Sequence, residues 1–150
     1  MAEYSANAVQ TVAPNSTVIF TESPVPCTRG LVRHRDDTGS FLLRGYVPCN
    51  SCSQSASYLA EFGANIAIPT GGTVEAISLA LAIDGAVIPS STMIVTPAAV
   101  EEYFNVSVAV NAQIWRGCCE ALTVINTSTQ PILVQNANIV ISRPDLVVSR

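Results

Sequence analysis

The stretch Glu75–Asp84 reads EAISLALAID, and it limits the choice of folds more than any other part of the chain. Ile77, Leu79, Leu81 and Ile83 alternate with Ala76, Ser78, Ala80 and Ala82. A period of two is the signature of a strand with one face turned to a core. The opposite face of a solvated strand would carry Lys, Glu or Thr, yet here it is small and uncharged. Two coverings fit such a face: a second copy of the chain, or the N-terminal arm or a loop of the same chain. The expectation taken forward is a subunit contact through Ala76, Ser78, Ala80 and Ala82, because small side chains allow close approach and no charge has to be desolvated.

The same period runs through most of the sequence. Ser16–Thr21 is a short β-branched run ended by Pro24 and Pro26. Gly30–Arg35 and Ser40–Val47 form a strand pair joined by Asp36-Asp37-Thr38-Gly39. Tyr58 to Ile68, Ser91–Thr96, Tyr103–Trp115, Ala121–Asn126 and Ile132–Ser142 also read as strands, with Asp84-Gly85 and Arg116-Gly117 as tight turns. Pro97–Glu102 alone looks helical, over about one turn. Many short strands at regular spacing predict an all-β, antiparallel two-sheet sandwich, of which the jelly roll is one solution. One domain is expected over residues 16–142, with residues 1–15 as an N-terminal arm and 143–150 as a C-terminal tail that begins at Arg143-Pro144.

Charged residues make up only 12% of the chain and hydrophobic ones 49%. All seven cations are Arg. So low a charge fraction favours a surface reduced by assembly. The net charge of −4 argues against a nucleic-acid partner. No apolar run is long enough for a membrane span, and the N-terminus lacks the pattern of a signal peptide, so synthesis in cytoplasm is expected. The five cysteines include Cys49 and Cys52 in CNSC and the adjacent Cys118 and Cys119, with Cys27 apart. Neighbouring cysteines on a strand face opposite sides and no second CxxC exists. Free thiols are therefore preferred over a disulfide at Cys49 or Cys52, and both over a metal site.

Three segments carry a family resemblance: IAIPTGGTVEAISLALAIDGAVIPSS, then TPAAVEEYFNVSVAV, then VINTSTQPILVQNANIVISR after the Gly117-Cys118-Cys119 turn. Over about residues 16–142 the chain resembles the trimeric jelly rolls of the tumour-necrosis-factor/C1q-like class. Within that class it is similar to small proteins of bacteriophages and prophages of gut Firmicutes, and to the heads of bacterial collagen-like surface proteins. The resemblance implies a homotrimer with three sandwiches about a central axis. No Gly-X-Y tract occurs, which points away from a stalked filament and toward a virion component.

Chemistry-bearing residues do not gather into a motif. His34 is the single histidine, set between Arg33 and Arg35. GxSxG, HExxH, P-loop and GxGxxG patterns are absent. Asp36 with Asp37, and Glu101 with Glu102, are neighbours whose side chains point apart on a strand. Glu61 and Glu75 could share a sheet face, and Trp115, Tyr103 and Tyr58 could form a sugar platform. No catalytic, cofactor-binding or metal-binding residues are assigned, and no cofactor is expected. The expectation is a non-enzymatic virion structural protein: a trimer that decorates a phage capsid and contacts the major capsid protein through Ala8–Pro14 or Pro144–Arg150. The alternative is a trimeric fibre-tip or surface head that binds host glycans, with loops around Cys49–Ser57 and Ser90–Glu102 as its site.

Overall fold

A computed structural model describes residues 1–27 and 29–146. Period-two segments become strands throughout. In chain order they are β1 (Ala2–Ala6), β2 (Gln10–Val12), β3 (Glu22–Val25), β4 (Val32–His34), β5 (Phe41–Arg44), β6 (Ser55–Ala67) and β7 (Ile77–Ile83). There follow β8 (Ala86–Val87), β9 (Met93–Val95), β10 (Phe104–Trp115), β11 (Cys119–Asn126) and β12 (Ile132–Ser142). All pairings are antiparallel.

The strands form two six-stranded sheets. Sheet A has the order β10-β6-β12-β1-β3, with β2 also on β12; sheet B has the order β4-β5-β11-β7-β8, with β9 also on β7. Local hairpins (β4–β5, β7–β8) are combined with pairings between strands distant in sequence (β1–β12, β6–β12, β5–β11), as in a jelly roll. The core lies between the sheets. Ala56, Tyr58, Ala60, Phe62, Ala64 and Ile66 of β6 face Phe41, Leu43, Leu79, Leu81, Leu122 and Val124 of sheet B, all buried. Burying each large side chain of this kind contributes about 1.5–3 kcal/mol.

The tight turns sit where the sequence placed them. Asp84 and Gly85 both have positive φ (48° and 84°), which suits the two-residue β7–β8 hairpin and its twist. Asp37 (φ 62°) serves the β4–β5 turn and Gly117 (φ 81°) the β10–β11 turn.

Three expectations change. Residues 1–15 are not a free arm. Ala2, Tyr4 and Ala6 of β1 point into the core, β1 pairs with β12 from Ala2↔Ile141 to Ala6↔Ala137, and β2 pairs with the start of β12. The alternation in AEYSA was hidden because two of its three inward residues are alanines. Ser16–Thr21 is not a full strand: it runs alongside β11 through the bridge Thr17↔Ile125 and backbone bonds such as Val18 N–H to Val124 O (2.9 Å), then meets the β4–β5 turn through the bridge Phe20↔Thr38. Pro97–Glu102 forms turns, not helix: Glu101 takes φ 57° and donates its N–H to Ile68 O. The expected tail 143–150 is described only to Leu146.

Where β2, β11 and β12 meet, Asn126 is fully buried. Its Nδ2 donates to the carbonyls of Val12 (2.9 Å) and Gln130 (3.0 Å), and its Oδ1 accepts from Ser128 N–H (2.8 Å). One amide thus satisfies three main-chain groups that no ladder reaches. Asn126→Ala should lower unfolding free energy by about 2–4 kcal/mol, read as a reduced urea midpoint with unchanged m, because three buried polar groups lose their partner.

Candidate functional site

The alanine side of β7 is closed within one chain. Ala80 and Ala82 have 0% exposure, Ser78 is half-buried, and Ala76 alone is exposed. Ser78 N–H donates to Ser128 Oγ (2.7 Å), and the Ser78 and Thr127 hydroxyls lie 2.6 Å apart. A 3-10 turn, Pro89–Ser91, follows β8 and places buried Ser91 against the β7 edge. Ser91 Oγ accepts from Leu81 N–H (2.9 Å) and lies 2.6 Å from Ile88 O. The four residues therefore do not form an open contact face, since the middle of β7 has no surface left for a second copy.

Thr123 pairs with Ala82 across the β11–β7 ladder, and its Oγ1 is buried without a hydrogen-bond partner. The two hydroxyls beside β7 are thus in opposite states, one fully used and one orphaned. Ser91→Ala is expected to cost about 1–3 kcal/mol by stranding Leu81 N–H, whereas Thr123→Val should be neutral or stabilising. Thermal denaturation of the two variants checks this contrast.

The open sheet face belongs to sheet A. Buried residues of β6, β10 and β12 alternate with outward ones, and the register stacks these in rows. Ser107, Gly63 and Asn138 form one row; Ala109, Glu61 and Val140 the next; Asn111, Leu59 and Ser142 a third. Glu61 is the one ionisable group in these rows. A fourth row is an amide ladder, in which Asn105 Nδ2 donates to Asn65 Oδ1 (3.1 Å) and Asn65 Nδ2 to Asn136 Oδ1 (3.5 Å). At Gly63 the face dips into a depression of about 450 Å³ bordered by Glu61, Ser107, Ala109, Asn138 and Val140. A Cβ on Gly63 would come within 3.2 Å of Asn138 Oδ1, and β12 shifts register just beside it, between Gln135 and Asn138.

Sequence reading passed over this face because its polar alternation resembles an ordinary solvated strand. The available signal was Gly63, a glycine inside a long alternating strand, which marks a bulge or close approach.

The other candidate groups do not converge. His34 stacks on Phe41 (4.5 Å between centroids), and its ring nitrogens lie 3.1 Å from the carbonyls of Ser40 and Phe20. Whichever nitrogen carries the proton thereby has a main-chain carbonyl to donate to. Glu61 lies on sheet A, while Glu75 accepts from Thr129 and Gln130 beside the turn before β12, so the two share no face. Glu101 accepts from Thr70 Oγ1 (2.8 Å). Among the described residues no three His, Cys, Asp or Glu side chains converge in a way that could hold a metal ion.

The sugar platform also comes apart. Tyr58 is in the core, and Tyr103 and Trp115 flank and end β10, roughly 35–40 Å apart along an extended strand. All five cysteines are free thiols; Cys49, Cys52, Cys118 and Cys119 are exposed. Burial works against ionisation of the half-buried Cys27, but the backbone amides of Val32, Arg29, Leu31 and Gly30 outweigh it and lower the thiol below its ordinary value.

At the end of the sandwich near β5, Arg143 ties the chain after β12 to the core. Its guanidinium lies 5.0 Å over the Tyr58 ring, donates to Tyr46 O (3.0 Å) and pairs with Asp145 (2.8 Å), with its side chain only 6% exposed. Desolvation raises the Asp145 carboxyl, but the Arg143 guanidinium and Ser57 N–H (3.0 Å) prevail and hold it below its usual value. A depressed folded-state value stabilises the fold above the unfolded carboxyl's value near 3.9, and that contribution is lost as pH falls through the folded value. The melting-temperature gap between wild type and Asp145→Asn should therefore be constant at neutral pH and shrink below about pH 4.

No family model matches the chain, and no curated protein matches it. Among solved structures it is similar to an Eiger TNF of S. frugiperda, at 11% identity and a TM-score of 0.64 over 99% of this chain and 93% of that one. It is also similar to murine APRIL (10%, TM-score 0.57, 92% and 97% coverage) and to the globular domain of a zebrafish complement 1qA protein (12%, 0.56, 93% and 94%). Such likeness at low identity establishes the TNF/C1q-like jelly-roll fold.

Proposed function

We propose that this chain is a non-catalytic structural head, that three copies associate through the outer face of sheet A, and that the trimer decorates the surface of a bacteriophage capsid. The observation that carries the trimer is the outer face itself: rows of Ser, Asn, Ala and Gly with Leu59 and Val140 across three long strands, in which Glu61 is the one ionisable side chain. Burying such a face strips water from few charges, and its amides can exchange water for partners across the contact. The contact proposed from the sequence moves from β7 to β6, β10 and β12.

The capsid role rests on the resemblance over residues 16–142 and on the low charge fraction, which suits a component that spends its life in an assembly. Its partners would be the major capsid protein or other virion proteins, reached by several weak contacts multiplied by three. Residues 10–12 are committed to sheet A, so in the N-terminal region the exposed neighbours Ala8 and Val9 are left for that contact. Residues 147–150 of the other expected contact lie outside the described residues. A non-catalytic role is supported by the engagement of His34 with main-chain carbonyls and the separation of the carboxylates.

Ala109→Arg places a cation in the middle of the proposed contact, at an exposed position. The variant should keep the wild-type circular dichroism and melt as a folded monomer, while wild type sediments as a trimer at micromolar concentration. Ala80→Glu, by contrast, should lose folded protein rather than yield monomers, because the charge would be stranded inside one chain. A wild-type monomer, or a trimer unchanged by Ala109→Arg, overturns the contact. Absence of the chain from purified virions overturns the capsid role.

A further inference from the structure

Outside the sheet faces, the cations are unevenly placed. Two adjoining depressions lie at the end of the sandwich that holds the β5 terminus. One, of about 270 Å³, is lined by Arg44, Tyr46, Arg116 and the turn that follows β10; the other, of about 420 Å³, by Arg29, Leu31, Arg44 and Tyr46. Three of the seven arginines thus line two neighbouring depressions that share Arg44 and Tyr46, in a chain whose net charge is −4. No carboxylate is among the lining residues. The single ion pair among the described residues is Arg143–Asp145, so Arg29, Arg44 and Arg116 have no acidic partner there.

The cleft is also organised. Arg116 Nη2 donates to Pro48 O (3.2 Å), which holds one guanidinium. Tyr58, fully buried, has its hydroxyl 3.1 Å from Leu31 O and 2.5 Å from Arg44 O, fixing the main chain beneath two of the lining residues. Arg143 fixes the carbonyl of Tyr46 from the opposite side. Tyr46 itself, held at its main chain, keeps 51% of its surface exposed.

The geometry points to a binding site for an acidic saccharide. The arginines would take a carboxylate or sulfate through forked, charge-assisted hydrogen bonds, and the apolar face of a sugar ring would lie on Tyr46. A cationic recess on an acidic protein also concentrates anions locally. A flexible acidic peptide would satisfy the guanidiniums but would leave the rigid aromatic face without a matching flat surface. This inference is independent of the trimer, since none of the cleft residues belongs to β6, β12 or the outward rows of sheet A. It supplies the glycan-binding alternative with a site away from Tyr103 and from the Ser90–Glu102 loop.

The test is titration of wild type, by calorimetry at low and physiological salt, with sialyllactose as the carboxylate probe and a heparin tetrasaccharide as the sulfate probe. Lactose and tetraglutamate serve as controls. Binding of either acidic sugar without lactose binding is expected, and the sugar that binds identifies the anion. Arg44→Gln and Arg116→Gln should each weaken binding about tenfold or more, as loss of a charge-assisted contact requires. Tyr46→Ala should weaken sugar binding without changing the response to tetraglutamate. Should a variant fold poorly, chemical-shift mapping of the wild type must place the perturbed amides around residues 29–31, 44–46 and 116–119. The inference is overturned if neither acidic sugar binds, if lactose or tetraglutamate binds as tightly, if the variants bind as wild type, or if the perturbed amides lie elsewhere.

Discussion

The contact on which the architecture depends is an aromatic bridge between the two sheets. Phe62 comes from β6 of sheet A and Phe41 from β5 of sheet B, and Phe20 from the segment before β3 meets both edge-on, at centroid distances of 6.5 and 5.1 Å. Tyr4 of β1 closes the group against Phe41 (4.9 Å) and His34. Such pairs contribute about 0.5–1.5 kcal/mol each beyond their burial. More importantly, they fix which face of β6 and of β5 is inside. With a period of two, that choice determines the outward position of every residue on those strands.

From that choice follows a division of labour between the outer faces. Sheet B turns its alanines outward at β7, where Ala80 and Ala82 are fully buried within the monomer, and the turn that ends at Ser91 closes the edge of the strand at Leu81. Sheet A receives no such covering. Its amide ladder is satisfied internally from β10 to β12, yet the groups remain at the surface and can exchange partners. A face that is flat, nearly uncharged and already hydrogen-bonded costs little to desolvate, whereas the bare alanines of β7 would have been costly to leave in water.

The sequence exposed the fold more readily than the site, for a physical reason. Alternation reports which residues are inside, and it was plain in Tyr58 to Ile68 and in EAISLALAID; turn residues such as Asp84-Gly85 reported where strands reverse. It does not report what lies over the second face. Ala80 and Ala82 looked free because a run of small residues carries no mark of what packs over it, yet both are fully buried. Residues 1–15 looked like an arm because Ala2 and Ala6 are weak hydrophobic signals, and only their pairing with β12 shows their place. The cationic cleft was invisible for a related reason: Arg29, Arg44 and Arg116 are far apart in sequence and come together only when the β5 end meets the turn after β10.

That meeting connects core and cleft. Tyr58 occupies an inward position of β6 like any other core residue, but its hydroxyl needs a partner once buried. The two carbonyls it reaches belong to Leu31 and Arg44, and the guanidinium over its ring belongs to Arg143, which in turn holds Tyr46 O. The buried phenol and the guanidinium over its ring therefore hold the backbone of two segments that border the recess, at Leu31 and at Arg44–Tyr46. The loops at this end are ordered by the core and by one another, through bonds such as Gly45 N–H to Cys118 O (2.7 Å) and Gly117 N–H to Gly45 O (3.0 Å). This fixes the main chain under Arg44 and Tyr46, and the Arg116 guanidinium, before any ligand arrives, so less entropy is lost when one binds.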